Sequence, residues 1–167
     1  MAPALQRKQL ALDTNVLFDL AEGLNAAHDF RETFLSAKYA LRVPPTVVQE
    51  LVFATEHADD GHARQLAELA LTSMLNWGIN PFDLVAVGHG LTEAFAERLI
   101  KKGLLPESEY NDGLILAETS LAAIPILVTS DKHLLDIDET HLSLTFDECD
   151  LFHVRPCHPK RLIRAMR

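Results

Sequence analysis

Short apolar runs alternate along the chain with longer segments in which apolar residues recur every three to four positions, the periods of buried strands and amphipathic helices. Gln9-Leu10-Ala11-Leu12 is the first such run. It stops at the polar Asp13-Thr14-Asn15, and Val16, Leu17 and Leu20 then return at helical spacing, which predicts strand, sharp turn and helix. Ala26 to Ala40 carries Phe30, Phe34 and Leu35 on a helical face. Leu41-Arg42-Val43 reads as a strand cut off by Pro44-Pro45, which remove two backbone donors. Thr46 is expected to cap a helix from Val47 to Thr55, with Gln49 at the capping-box position and Glu50 in the second turn.

The rest of the chain keeps this alternation. A loop is expected at His57 to His62, a helix from Ala63 to Asn76, a strand from Phe82 to Val87, and a helix from Leu91 to Lys102 closed by Gly103. Glu109 to Ala122 is predicted helical, and Ile124 to Thr129 is a β-branched strand ending in Ser130-Asp131. His133-Leu134-Leu135 opens a turn of helix, Phe152-His153-Val154 is the last predicted strand, and Pro159 starts the terminal helix at a position proline tolerates. Short, almost wholly apolar strands between helices define an α/β fold with a parallel sheet covered on both faces. The 167 residues suit one domain, and no repeat or long linker divides them.

In open parallel sheets, ligands bind beyond the carboxyl ends of the strands. Asp13 and Asp131 sit at two such ends, Asp112 lies in the first turn of the helix leading into the second, and Glu50 follows a strand. These four can converge on one edge. The remaining acids singled out, among them Asp59, Asp60, Glu68, Glu93, Glu97, Glu107, Asp136, Asp138 and Glu139, fall in loops or on solvated faces. Four neighbouring carboxylates raise one another's pKa unless cations cancel the charge, and hard oxygen ligands select Mg²⁺ or Mn²⁺. Two such ions about 4 Å apart activate a water and hold both oxygens of an in-line phosphoryl displacement, so the chemistry implied is phosphodiester hydrolysis.

Charge changes the picture of what such a site could act on. The chain holds 24 acidic and 15 basic side chains, net −9, which argues against holding nucleic acid mainly by bulk positive charge. The distribution is uneven. From Leu151 to Arg167 there are five basic residues (Arg155, Lys160, Arg161, Arg164, Arg167) and no acid, leaving ten basic against 24 acidic in residues 1–150. The tail reads either as cations favouring a helix end or as a docking strip for phosphate or an acidic partner. With no apolar run near the roughly 18 residues of a membrane span and no apolar stretch in Met1 to Gln9, a cytoplasmic protein is expected. Cys149 and Cys157 are too few for a disulfide framework.

The words around the four acids are specific. Leu12-Asp13-Thr14-Asn15-Val16-Leu17, Val48-Gln49-Glu50-Leu51, Asn111-Asp112-Gly113-Leu114-Ile115-Leu116-Ala117 and Leu127-Val128-Thr129-Ser130-Asp131-Lys132, in that order, resemble the PIN-domain nucleases. The resemblance runs from about Leu10 to Pro159-Lys160-Arg161-Leu162-Ile163. It implies a three-layer α/β/α sandwich around a parallel sheet, and metal-dependent cleavage of RNA leaving a 5′-phosphate and a 3′-hydroxyl. Asp13, Glu50, Asp112 and Asp131 match the acidic quartet that holds Mg²⁺ or Mn²⁺, and Asn15 and Thr129 match its polar supports. The toxin branch of toxin-antitoxin systems is implied as well, with an antitoxin protein and a homodimer as partners. Relatives of that branch carry a second acid two residues after the fourth, where this chain has His133, so one ion and two ions both remain open. DNA or a flap as substrate, and an inactive binding module, are the alternatives.

The stretch from Thr55 to Pro81 is longer than in small toxins and is expected to form a helical insertion, about residues 55–81, over the site or at a dimer surface. Lys132, beside Asp131, is a candidate contact to the scissile phosphate, with a solvated lysine as the simpler reading. Cys149, His153, Cys157 and His158 are zinc-compatible types without a zinc spacing. Gly88-His89-Gly90 lacks the further glycines or lysine of a phosphate loop, and Trp77 reads as core rather than as a platform for bases.

Overall fold

A computed structural model describes residues 7–167; the start of the segment read for an apolar leader, residues 1–6, lies outside the described residues. Five strands are present among the described residues: β1 (Gln9–Leu12), β2 (Ala40–Val43), β3 (Ile79–Pro81), β4 (Ile126–Val128) and β5 (Arg155–Cys157). All pair in parallel in the order β3-β2-β1-β4-β5. The chain steps outward from β1 to β2 and β3, then returns to the other side of β1 at β4. That reversal is the switch point where such sheets open a crevice.

The helices are α1 (Thr14–Ala21), α2 (Asn25–Ser36), α3 (Pro45–His57), α4 (Gly61–Ser73), α5 (Ala86–Lys101), α6 (Tyr110–Leu121), α7 (Lys132–Leu135), α8 (Glu139–Glu148) and α9 (Pro159–Met166). α1 packs on α2, α3 and α4, while α5 packs on α6 and α8, which gives the two helical layers of an α/β/α sandwich. Leu10, Leu12, Leu41, Val43, Leu127 and Val128 fill the sheet and are buried, as expected for strands covered on both faces. Phe30, Leu51, Phe95, Ile115 and Phe146 bring the helices onto them. α5 and α6 approach closely at Gly113, where an added Cβ would stand 2.8 Å from Ala96 Cα. No helix among the described residues is long and apolar enough to cross a membrane.

Several boundaries differ from those the pattern predicts. The third strand is Ile79–Pro81 rather than Phe82 to Val87: Phe82 N–H still donates to Val43 O, but Val85 and Val87 are 75% and 74% exposed, with no layer over them. α5 starts at Ala86, five residues before the expected Leu91, and Gly88 tucks against Leu84 and Leu121. The fifth strand is Arg155–Cys157 rather than Phe152 to Val154, because β4 accepts its register from Arg155 onward and Phe152 is left 73% exposed. α8 was not anticipated by the pattern. Thr46 is not the cap of α3; Pro44 holds that position, Pro45 occupies the first turn, and the Thr46 hydroxyl is spent elsewhere.

Candidate active site

The register of the two central strands builds the site. Leu12 pairs with Val128, so the next residues, Asp13 and Thr129, leave the sheet side by side, and Asp13 N–H donates to Val128 O at 2.9 Å. Both strands are followed at once by helices, and the strand-end carboxylates cap them. Asp13 Oδ1 accepts from Thr14 N at 2.8 Å and Asp131 Oδ1 accepts from His133 N at 2.8 Å, satisfying donors that a helix start otherwise leaves free. Capping fixes both side chains at the C-terminal edge of the sheet.

Asp13 is buried and held at its second oxygen too: Oδ2 accepts from Thr129 Oγ1 at 2.7 Å and from Asn15 Nδ2 at 3.0 Å. Asn15 is itself locked, since its Oδ1 accepts from Ser130 N at 3.0 Å and Ser130 Oγ at 3.1 Å. Thr129 Oγ1 also accepts from Asp131 N at 3.0 Å. The strand ends are thus tied together through Asn15 and Thr129, which orient the carboxylates as supporting residues orient ligands. Glu50, from the second turn of α3, accepts from Thr14 Oγ1 at 2.9 Å at Oε1.

Asp112, in the first turn of α6, is 7% exposed, and its Oδ2 is buried without a hydrogen-bond partner. Oxygens of Glu109, Asp112 and Asp131 all lie within 4.8 Å of one another. Glu109 is the residue that sequence reasoning missed. It caps α6 one turn before Asp112, and the Glu-x-x-Asp spacing at a helix start was the available signal. His133 Nε2 stands 3.7 Å from Glu109 Oε1, and Lys132 is exposed beside Asp131.

The electrostatics follow from this crowding. Burial, first, and the charges of Asp13, Glu109 and Asp131 push Asp112 up to about 9. Glu50 is pushed up to about 7, chiefly by burial and then by Asp13, Glu109 and Glu118, against the Thr14 hydrogen bond that lowers it. Burial raises Asp13 as well, and its three hydrogen bonds oppose that. Asp13, Glu50, Asp112 and Asp131 therefore share one field, with Asp112 and Asp131 in the tightest group and Glu50 at its edge. A hard divalent cation fits this set: the donors are all oxygen, one buried oxygen has no other partner, and Asp13, Glu50 and Asp112 are raised by burial and by neighbouring carboxylates.

The protein is thus an α/β/α sandwich with an acidic centre at the switch point of a parallel sheet. A profile of the PIN domain matches residues 10–140, and the chain belongs to the PIN-domain nuclease family. No curated protein shows significant sequence similarity to it. Among solved structures, it is similar to VapBC2 from Rickettsia felis bound to a DNA fragment from its promoter, with TM-score 0.61 and 15% identity over 90% of this chain and 98% of that one. VapBC-1 from nontypeable Haemophilus influenzae follows with TM-score 0.57 and 13% identity over 91% and 98%, and FitAcB from Neisseria gonorrhoeae with 0.52 and 19% over 90% and 97%. At these identities the likeness shows the fold.

Proposed function

We propose that this protein is a Mg²⁺- or Mn²⁺-dependent endoribonuclease, the toxin of a toxin-antitoxin pair, with Asp13, Glu50, Asp112 and Asp131 as its acidic centre and Glu109 as a fifth contributor. The observation that carries the reading is the buried, unpartnered Asp112 Oδ2 beside Glu109 and Asp131, with the Asp112 carboxyl raised above its ordinary range by burial and by its anionic neighbours. When bound, divalent metal supplies Lewis-acid activation of water and neutralises charge developing on the phosphoryl oxygens.

The chain's own part is positioning and proton handling. Asp13 is kept in one orientation by Thr14, Asn15 and Thr129, so a ligand oxygen needs no reorganisation when it is engaged. Thr14 occupies Glu50 Oε1 and leaves Oε2 to take the proton of an attacking water. Water adds across the P–O3′ bond, giving a 5′-phosphate and a 3′-hydroxyl. Lys132, exposed beside Asp131, is assigned to a non-bridging phosphate oxygen.

Residues 1–167 are taken as one domain, with a helical insertion at about residues 55–81 that holds the end of α3 and all of α4. A protein partner and a homodimer are part of the same reading. Exposed Phe53, Leu69, Leu75, Val85, Val87 and Leu91 support them, as does the likeness to the VapBC and FitAcB structures. The test is hydrolysis of a labelled single-stranded RNA with Mn²⁺, beside DNA of the same sequence. Cleavage of RNA that chelator and Asp13→Asn both abolish is expected, and activity indifferent to both would overturn the assignment.

A further inference from the structure

A cavity of about 510 Å³ lies between α2 and the terminal helix α9, within the roughly 300–1,000 Å³ range of sites that hold small ligands. Val16, Phe30 and Ile163 give it an apolar lining, and Lys160, Arg164 and Arg167 stand along its α9 side. These three cations are exposed, and none forms an ion pair among the described residues. Arg98 and Lys102, by contrast, both hold Glu148, and Arg42 bonds Gln9 and Asn80 O. The opposite wall carries Asp19 and Asp29, and burial raises the Asp19 carboxyl while nearby His158 lowers it.

The cavity shares a wall with the acidic centre. Ser130 lines it and also gives its N–H and hydroxyl to Asn15, whose amide holds Asp13. A ligand in the cavity is therefore linked to that centre through Ser130 and Asn15. Unpaired cations on one side call for phosphates, an apolar floor for a flat uncharged group, and carboxylate acceptors for amino or hydroxyl donors. A nucleotide combines all three, and a ribose adds the 2′-hydroxyl as donor.

We propose that this cavity is a nucleotide subsite, holding one nucleotide of a single-stranded RNA beside the scissile bond. Its phosphates rest on Lys160, Arg164 and Arg167, its base lies against Val16, Phe30 and Ile163, and Asp19 and Asp29 accept from base or ribose. The basic tail thereby supplies the grip that the overall negative charge denies. The inference rests on the nuclease reading above for its neighbour, and its test is arranged to separate the two.

Binding of a short labelled single-stranded RNA is measured by fluorescence anisotropy in an Asp13→Asn background, where nothing is cleaved. Combining Lys160→Ala, Arg164→Ala and Arg167→Ala is expected to weaken binding by roughly ten- to fifty-fold at physiological salt and to lower the slope of log K against log salt by about two. In the otherwise native protein, the same three changes leave Mn²⁺-dependent hydrolysis of bis(p-nitrophenyl) phosphate, too small to reach both sites, at the native rate. Ala26→Trp, at the cavity rim, keeps every cation; it is expected to weaken binding of the RNA but not of inorganic tripolyphosphate. RNA affinity unchanged by the triple change overturns the proposal. So does an effect on tripolyphosphate and RNA alike with Ala26→Trp silent, which marks a general anion patch, and so does intact RNA binding with loss of a co-expressed protein, which assigns the cavity to that protein. If the native protein cleaves no RNA yet binds it through these cations, the nuclease reading falls and the subsite stands.

Discussion

Helix α6 carries two buried carboxylates in opposite circumstances. Glu118 is 2% exposed, and both its oxygens are met by Thr46, whose N–H donates to Oε1 at 3.0 Å and whose hydroxyl donates to Oε2 at 2.6 Å. Asp112, six residues earlier, has an oxygen with no donor and faces Asp13, Glu109 and Asp131. Burial raises both carboxyls, so the direction of a shift does not tell a structural acid from a functional one. The surroundings do. A hydrogen-bonded carboxylate holds α3 against α6, whereas one left without a donor among other carboxyls has the surroundings that suit a cation.

The sharpest way to break this contrast is Asp112→Asn. Mn²⁺-dependent RNA cleavage is expected to fall at least about 10²-fold, while the metal-free protein melts about 2–4 °C higher because a buried carboxyl that must take up a proton on folding is replaced. A kinetic assay and a thermal melt without metal check the two parts; lower stability would mean that Asp112 is a structural acid like Glu118. Next in size is Asn15→Ala. Asp13 is the intermediate case, fully hydrogen-bonded yet inside the cluster, and removing one of the two donors to its Oδ2 is expected to cost about 10–100-fold in activity or metal affinity, read by steady-state kinetics against Mn²⁺ concentration.

Glu118→Ala should do the reverse of Asp112→Asn. It strips the Thr46 N–H and hydroxyl of their acceptor and is expected to destabilise the fold by about 1–3 kcal/mol, measured by urea unfolding, with activity per folded molecule retained. The last contrast is in the pH profile of metal-free stability. Because the folded-state pKa values of Glu50 and Asp112 lie above those of the unfolded chain, the folded protein holds more protons. Their contribution is full below about 4.5 and is lost as pH rises through about 7 and then about 9. The melting temperature should decline across that window and Mn²⁺ affinity should rise, since the ion displaces those protons. Asp112→Asn should flatten the upper part, and an unchanged profile would contradict its assignment.

Asp13 and Asp131 were legible because an apolar strand run that stops at a polar residue marks a strand end whatever surrounds it. Glu50 and Asp112 were legible through the order of the words around them. Glu109 was not, because an acid at a helix start serves equally well as a solvated cap, and only the approach of Asp131 from β4 makes it part of a cluster. β3 and β5 slid by a few residues from their expected positions because several apolar triplets compete in each region, and the neighbouring strand selects which of them pairs.

Alternating apolar periods by themselves determined an α/β fold, polar stops at the ends of its central strands, and a set of oxygen-bearing side chains suited to a hard cation. Local periodicity suffices for this because strand and helix patterns are written in consecutive residues. Tertiary structure alone decided which carboxylates lose water without gaining donors, which one Thr46 supplies with two donors, and that the basic tail borders a cavity beside Ser130. Desolvation and like-charge repulsion depend on what distant segments place within a few ångströms of a group, and no run of neighbouring residues records that distance.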